Sequence, residues 1–135
     1  MGPLSNTFRK TERLCSRKII TSLFENGNSI YTSNFRVVWN FTPNTFSEPA
    51  QVMFSVAKKN FKKAVHRNLI KRRLRESYRK QKHSLYAYLN EAGLQISFIV
   101  IYRNSTIPEY AFTEAAVREM LDSLTDSVKR KAKNC

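Results

Sequence analysis

The chain has 135 residues, 41% of them apolar, which suits one domain with one core and argues against wholesale disorder. Its 24 Lys and Arg against 10 Asp and Glu give a formal net charge of +14, which points to a polyanionic partner, since ordinary soluble surfaces mix both signs. No apolar run approaches the ~20 residues needed to span a bilayer, and Cys15 and Cys135 make neither a disulfide framework nor a metal knuckle, so a reducing cytoplasm is the expected home.

Residues 13–26, RLCSRKIITSLFEN, place Leu14, Ile19 or Ile20, Leu23 and Phe24 at helical spacing, and Gly27 supplies a stop. Three β-rich stretches follow at about 28–32, 34–42 and 50–57, with Pro43, Asn44 and Pro49 marking a turn. Residues 61–80 read as a long helix, extended after a break through Tyr86 to Leu89. QISFIVIYR at 95–103 is an apolar run of strand length, as expected of a central strand. Pro108 precedes a last helix at about 110–128, with Val117, Met120, Leu121, Leu124 and Val128 on one face. The order α-β-β-β-α-β-α predicts an α/β or α+β two-layer sandwich: three helices on one side of a small mixed sheet of about four strands. Residues 1–135 form one domain in this reading, with 1–7 and 129–135 as flexible tails.

Charge is segregated along the chain. Residues 58–82 hold Lys58, Lys59, Lys62, Lys63, Arg67, Lys71, Arg72, Arg73, Arg75, Arg79, Lys80 and Lys82, half of all basic residues, with Glu76 as the single acid. Five of the ten acids, Glu109, Glu114, Glu119, Asp122 and Asp126, fall in the last-helix segment. Wound at about 100° per residue, Ile70, Leu74 and Tyr78 form a core stripe, and Asn68, Lys71, Arg72, Arg75 and Arg79 share an adjoining arc. The like-charge pairs Lys71/Arg75 and Arg75/Arg79 repel at i,i+4. A solvated helix face would normally carry acids to neutralise itself; this one does not, and a bound phosphate backbone would relieve it.

The aromatic residues Phe8, Phe24, Tyr31, Phe35, Trp39, Tyr86 and Tyr88 offer stacking platforms for unpaired bases, although core packing is the commoner fate of each taken alone. No catalytic constellation is present. His66 and His83 are too few for a metal cluster, and no nucleophile elbow, phosphate-cradling glycine loop or zinc spacing occurs. Phosphodiester chemistry attached to this chain would have to be done by something else.

At residues 51–80, QVMFSVAKKNFKKAVHRNLIKRRLRESYRK, the sequence resembles the bacterial ribonuclease P protein component family. Ser55-Val56-Ala57-Lys58-Lys59 matches that family's strand end, and Arg67-Asn68-Leu69-Ile70-Lys71-Arg72-Arg73-Leu74-Arg75-Glu76 matches its Arg-Asn-Arg-x-Lys-Arg-x-x-Arg-Glu helix, except that Leu69 stands where the family usually has Arg. TFRKTERL at 7–14, Phe24 to Gly27, and Phe35 also fit, so the resemblance runs over about residues 7–128. It implies a left-handed βαβ crossover, the opposite of the general rule. It also implies a division of labour. A catalytic RNA subunit cleaves precursor tRNA with Mg2+, while the protein, a monomer in the ribonucleoprotein with no membrane role, binds that RNA and the single-stranded 5′ leader.

On this reading Lys58, Lys59, Arg67, Asn68, Lys71, Arg72 and Arg75 contact the catalytic RNA, and Arg73 stands near enough on the wheel to compensate for Leu69. A cleft between the first helix and the sheet would hold the leader, with Phe8, Phe24, Tyr31 and Phe35 as its wall and Arg13 as a phosphate contact. No residue is assigned a catalytic or metal-binding role. A non-enzymatic ribosomal or assembly protein would share the basic composition, and only the helix motif favours ribonuclease P. A DNA-reading helix fits less well, because strands and a lysine-rich loop precede it instead of a helix-turn-helix partner.

Overall fold

The computed structural model describes residues 8, 10–42 and 48–133. A 3-10 turn at Lys10–Glu12 leads to α1 (Arg17–Asn26), then β1 (Asn28–Tyr31), β2 (Phe35–Phe41), β3 (Ala50–Val56), α2 (Ala64–Gln81), α3 (His83–Ala92), β4 (Ile96–Tyr102) and α4 (Tyr110–Lys133). The strands lie in the order β1-β2-β4-β3. β1 and β2 pair antiparallel, as do β2 and β4, and β3 pairs parallel with β4. The sheet is therefore mixed, and the α+β class expected from the element order holds.

Strand alternation sorts the side chains into two layers. Phe35, Val37 and Trp39 of β2, Val52, Phe54 and Val56 of β3, and Ile96, Phe98, Val100 and Tyr102 of β4 point to one face. There they meet Ile70, Leu74 and Tyr78 of α2, Leu85, Tyr86 and Leu89 of α3, and Val117, Met120, Leu124 and Val128 of α4. Trp39 is fully buried in this layer, and its Nε1 donates to Ser127 Oγ at 3.0 Å. The opposite face carries a smaller cluster in which Leu23, Ile19 and Ile20 of α1 cover Val38, Ile99, Met53 and Ile101. Here the structure departs from the expectation of helices on one side, because α1 occupies the second face. Ser16 caps this helix by accepting from Ile19 N. Gly27 ends it, where a Cβ would lie 2.4 Å from the Leu23 carbonyl oxygen and 2.7 Å from Val38 Cγ1, so no side chain fits.

The break expected in the long second helix falls at Lys82, and because the part beyond it stands as a helix of its own, α3, the described residues hold four α-helices where three were expected. α4 runs on to Lys133, so residues 129–133 are helix, not tail; Val128 anchors that turn in the core. Residues 1–7, 134 and 135, and the turn residues Pro43 and Asn44, lie outside the described residues. At the end of α3, Gly93 adopts φ +69°, the left-handed conformation that closes a helix.

Candidate nucleic-acid interface

The cationic surface is built outward from β3. The strand ends at Val56, a tight turn places Lys58 and Lys59 in solvent, and the chain re-enters the core at Phe61 before α2 begins. Phe61 stacks on Tyr102, which fixes the base of this lysine loop. Arg67 reaches back from the first turn of α2, and its Nη1 donates to the Phe61 and Lys62 carbonyls at 2.8 and 2.9 Å. Arg67 thereby braces the loop, and its remaining N–H groups are left for a ligand. The N-terminus of α2 has no acid in its first turn and no side-chain cap on Lys63, so the positive end of the helix dipole adds to the loop's charge.

Along α2 the expected division of faces is present. Ile70, Leu74, Ser77 and Tyr78 are buried, Asn68 and Arg72 are exposed, and Lys71 and Arg75 are half-buried beside them. Glu76 pairs with Arg79, and that hydrogen-bonded contact lowers the Glu76 pKa and raises that of Arg79. None of Lys58, Lys59, Lys71, Arg72 or Arg75 makes an ion pair with an acid among the described residues. Arg73 is a correction. It turns away from this arc and donates to the Pro108 carbonyl, tying α2 to the start of α4, so it does not stand in for the guanidinium that Leu69 lacks.

Lys71 and Arg75 also line a groove along β3, the edge strand of the sheet. Its other walls are Phe8, Arg13, Leu14 and Cys15 of the entry segment and Met53, Phe54 and Ser55 of the strand. Arg13 lies 5.6 Å from the centroid of the Phe8 ring, with its backbone bridged to Val52. Burial, and then the neighbouring Arg13 charge, push the Arg75 pKa below its ordinary value. Three cations thus converge here with no acid among the lining residues, an arrangement a phosphate would complete.

The four aromatic wall candidates are not brought together. Phe24 is 51% exposed on α1 and Tyr31 is 62% exposed at the end of β1. Phe8 sits across the molecule in the groove, edge-on to Tyr78. Phe35 is fully buried in the large core, on the sheet face away from α1, and cannot wall the cleft. Alternation reverses its neighbour: Arg36 pairs with Tyr31 across the strands, so both lie on the α1 face. Arg103 completes that patch, with its guanidinium 5.2 Å from the Tyr31 ring centroid and Nη1 donating to the Thr32 carbonyl. Sequence reading missed Arg36 and Arg103. The in–out alternation of Phe35-Arg36-Val37 was the available signal for the first, and nothing local marks the second.

Among the described residues no three His, Cys, Asp or Glu side chains cluster as a metal site would require, and no helix is long and apolar enough to cross a membrane. Fold and surface together define a small α+β protein with a cationic flank that no acid among the described residues neutralises. The family profile described as Ribonuclease P matches residues 8–130, and the chain belongs to that family. It is 30% identical over 131 residues to the ribonuclease P protein component of Porphyromonas gingivalis strain ATCC 33277, covering 97% of this chain and 96% of the relative. The ribonuclease P protein component of Chlorobium phaeobacteroides is 29% identical, with 88% of each chain covered. Among solved structures, the RNase P protein from Thermotoga maritima superposes with a TM-score of 0.62 at 23% identity, over 85% of this chain and 96% of that one. The Staphylococcus aureus RNase P protein gives 0.52 at 21% identity, over 89% and 94%. These two likenesses carry the fold; the sequence matches carry the family, and with it a tRNA-processing ribonuclease of which this chain is the protein component.

Proposed function

We propose that this chain binds the catalytic RNA of ribonuclease P and the 5′ leader of precursor tRNA, and that the RNA performs the cleavage. The observation that carries this reading is the arc of Asn68, Lys71, Arg72 and Arg75, continued by Lys58 and Lys59, which have no acidic partners among the described residues. Phosphates and sugars of a folded RNA are the natural complement of such a surface. Arg13 extends the surface across the groove, and Arg67 supports it through the lysine loop. The leader is assigned to the α1 face, where Phe24 and Tyr31 offer exposed rings and Arg36 and Arg103 supply charge. The donor set of this flank is cationic and does not suit a divalent ion, so the Mg2+ expected in the reaction belongs with the RNA. The protein would act as one copy per ribonucleoprotein in the cytoplasm; self-repulsion at +14 disfavours self-association, and the exposed Cys15 thiol suits a reducing compartment.

Reconstitution tests the proposal. Protein, bacterial ribonuclease P RNA and precursor tRNA are mixed at low Mg2+, and cleavage at the 5′ junction should require both the protein and the RNA. In binding titrations against salt, the double variant Arg72→Ala/Arg75→Ala should bind the RNA more weakly, with a slope of log K against log salt flatter by roughly one unit per lost contact. An unchanged slope removes this arc from the interface.

A further inference from the structure

The entry segment, residues 8–16, is itself basic: Arg9, Lys10 and Arg13 against a single acid, Glu12. It lies against α2, the most basic helix of the molecule, so simple electrostatics would drive the two apart. Glu12 does not face solvent to offset this. It is 1% exposed, paired with Lys82, itself 3% exposed, at the break between α2 and α3. Tyr86 donates its hydroxyl to Glu12 Oε1 at 2.6 Å, Tyr78 donates to the Tyr86 oxygen at 3.2 Å, and Lys82 Nζ lies 5.1 Å from the Tyr86 ring centroid.

Desolvation makes a buried ion pair poor value as a source of stability, and its best-attested use is to set register. The segment's hydrogen bonds, Leu14 N to the Val52 carbonyl at 2.9 Å and Gln51 Nε2 to the Thr11 carbonyl at 3.1 Å, attach it to the edge of β3. The Glu12–Lys82 pair, the Tyr86 hydroxyl on Glu12 and the Phe8 ring on Tyr78 attach it to the helical layer. Next to buried Glu12 stands exposed Arg13, which lines the groove opposite Lys71 and Arg75.

We propose that the buried Glu12–Lys82 pair is a latch that holds a basic strap against a basic helix, so that Arg13 joins Lys71 and Arg75 in one phosphate-binding groove for RNA. Glu12 and Lys82 are positioning residues that touch no ligand themselves. This inference rests on the RNA-binding reading of the groove. Bound phosphate would neutralise the Arg13–Arg75 repulsion, so latch and ligand favour the same docked strap.

The test is a double-mutant cycle read as affinity for in vitro transcribed ribonuclease P RNA at fixed salt. Arg13→Ala should weaken binding about tenfold, as expected for one charge-assisted contact. Glu12→Gln should weaken it by a similar factor, and Glu12→Gln with Arg13→Ala should weaken it no further. Because Glu12→Gln leaves Lys82 buried without its partner and can unfold the chain, the cycle is repeated with Glu12→Gln/Lys82→Met, which buries no charge. That pair should keep the fold, speed hydrogen exchange at the Leu14 amide, and lose the same affinity without adding to the Arg13→Ala loss. Wild-type affinity in the folded charge-free pair, or losses that add to that of Arg13→Ala, would overturn the latch while leaving the groove as an RNA site. Equal binding by wild type and Arg13→Ala would instead remove the groove from the interface, and the latch's role with it.

Discussion

Leu23 and Phe24 are neighbours on α1, yet one is 2% and the other 51% exposed. A helix turns about 100° per residue, so Leu23 meets Val38 and Ile99 while Phe24 lies outside both core clusters. A large ring held in water offers a platform on which an unpaired base can stack. Phe24→Ala should therefore leave the melting temperature nearly unchanged and weaken precursor tRNA binding by roughly fivefold or more, in keeping with the stacking of one base. Mature tRNA, which lacks the leader, serves as the control; equal losses for both would show that Phe24 does not touch the leader. At this scale single residues also misled. Phe35 matched the family register but points into the core, and Arg73 looked like surface charge but braces α4.

At the scale of elements, the joint between α2 and α3 concentrates the chain's buried polarity. Tyr78 and Tyr86 both have their phenol pKa values raised, first of all by burial. The unfolded chain ionises its tyrosines near pH 10.0, whereas these two keep their protons well beyond it in the native state. Their contribution to stability is thus complete below about pH 10 and is lost as pH rises above that value, because the unfolded state sheds protons the native state retains. Denaturant unfolding measured from pH 8 to 11 should show a decline above pH 10. Tyr78→Phe should make that decline shallower, at a cost of about 1 kcal/mol at neutral pH for the lost hydrogen bond; an identical alkaline slope would show that Tyr78 does not contribute to it. The strands and the core stripe of α2 were legible because alternation and a 3.6-residue period report burial directly. A break after residue 80 was legible as well; that Lys82, standing at that break, pairs with an acid 70 residues away was not.

For the molecule as a whole, charge of one sign dominates in the absence of a ligand. Screening of Lys58, Lys59, Lys71, Arg72 and Arg75 by salt should stabilise the free protein, since no acid partner among the described residues is weakened in exchange. Raising NaCl from about 50 to 500 mM, which shortens the screening length from roughly 14 to 4 Å, should raise the melting temperature of the free protein and lower its affinity for RNA. A melting temperature that falls with salt would mean that attractive pairs outweigh the repulsion.

Composition and periodicity by themselves gave the α+β class, a helix dense in cations and the stripe that buries it, because those properties are carried by residues close together in the chain. The spacing Arg67-Asn68 to Arg75-Glu76 added the family. Only the tertiary structure decided which side of the sheet α1 covers, that Phe35 is inside while Arg36 is not, and that Glu12 and Lys82 bury one another. Each of those outcomes depends on contacts between segments distant in sequence: the alternation of β2 separates Phe35 from Arg36 but does not say which face is the larger core, and the other two leave no local periodic trace.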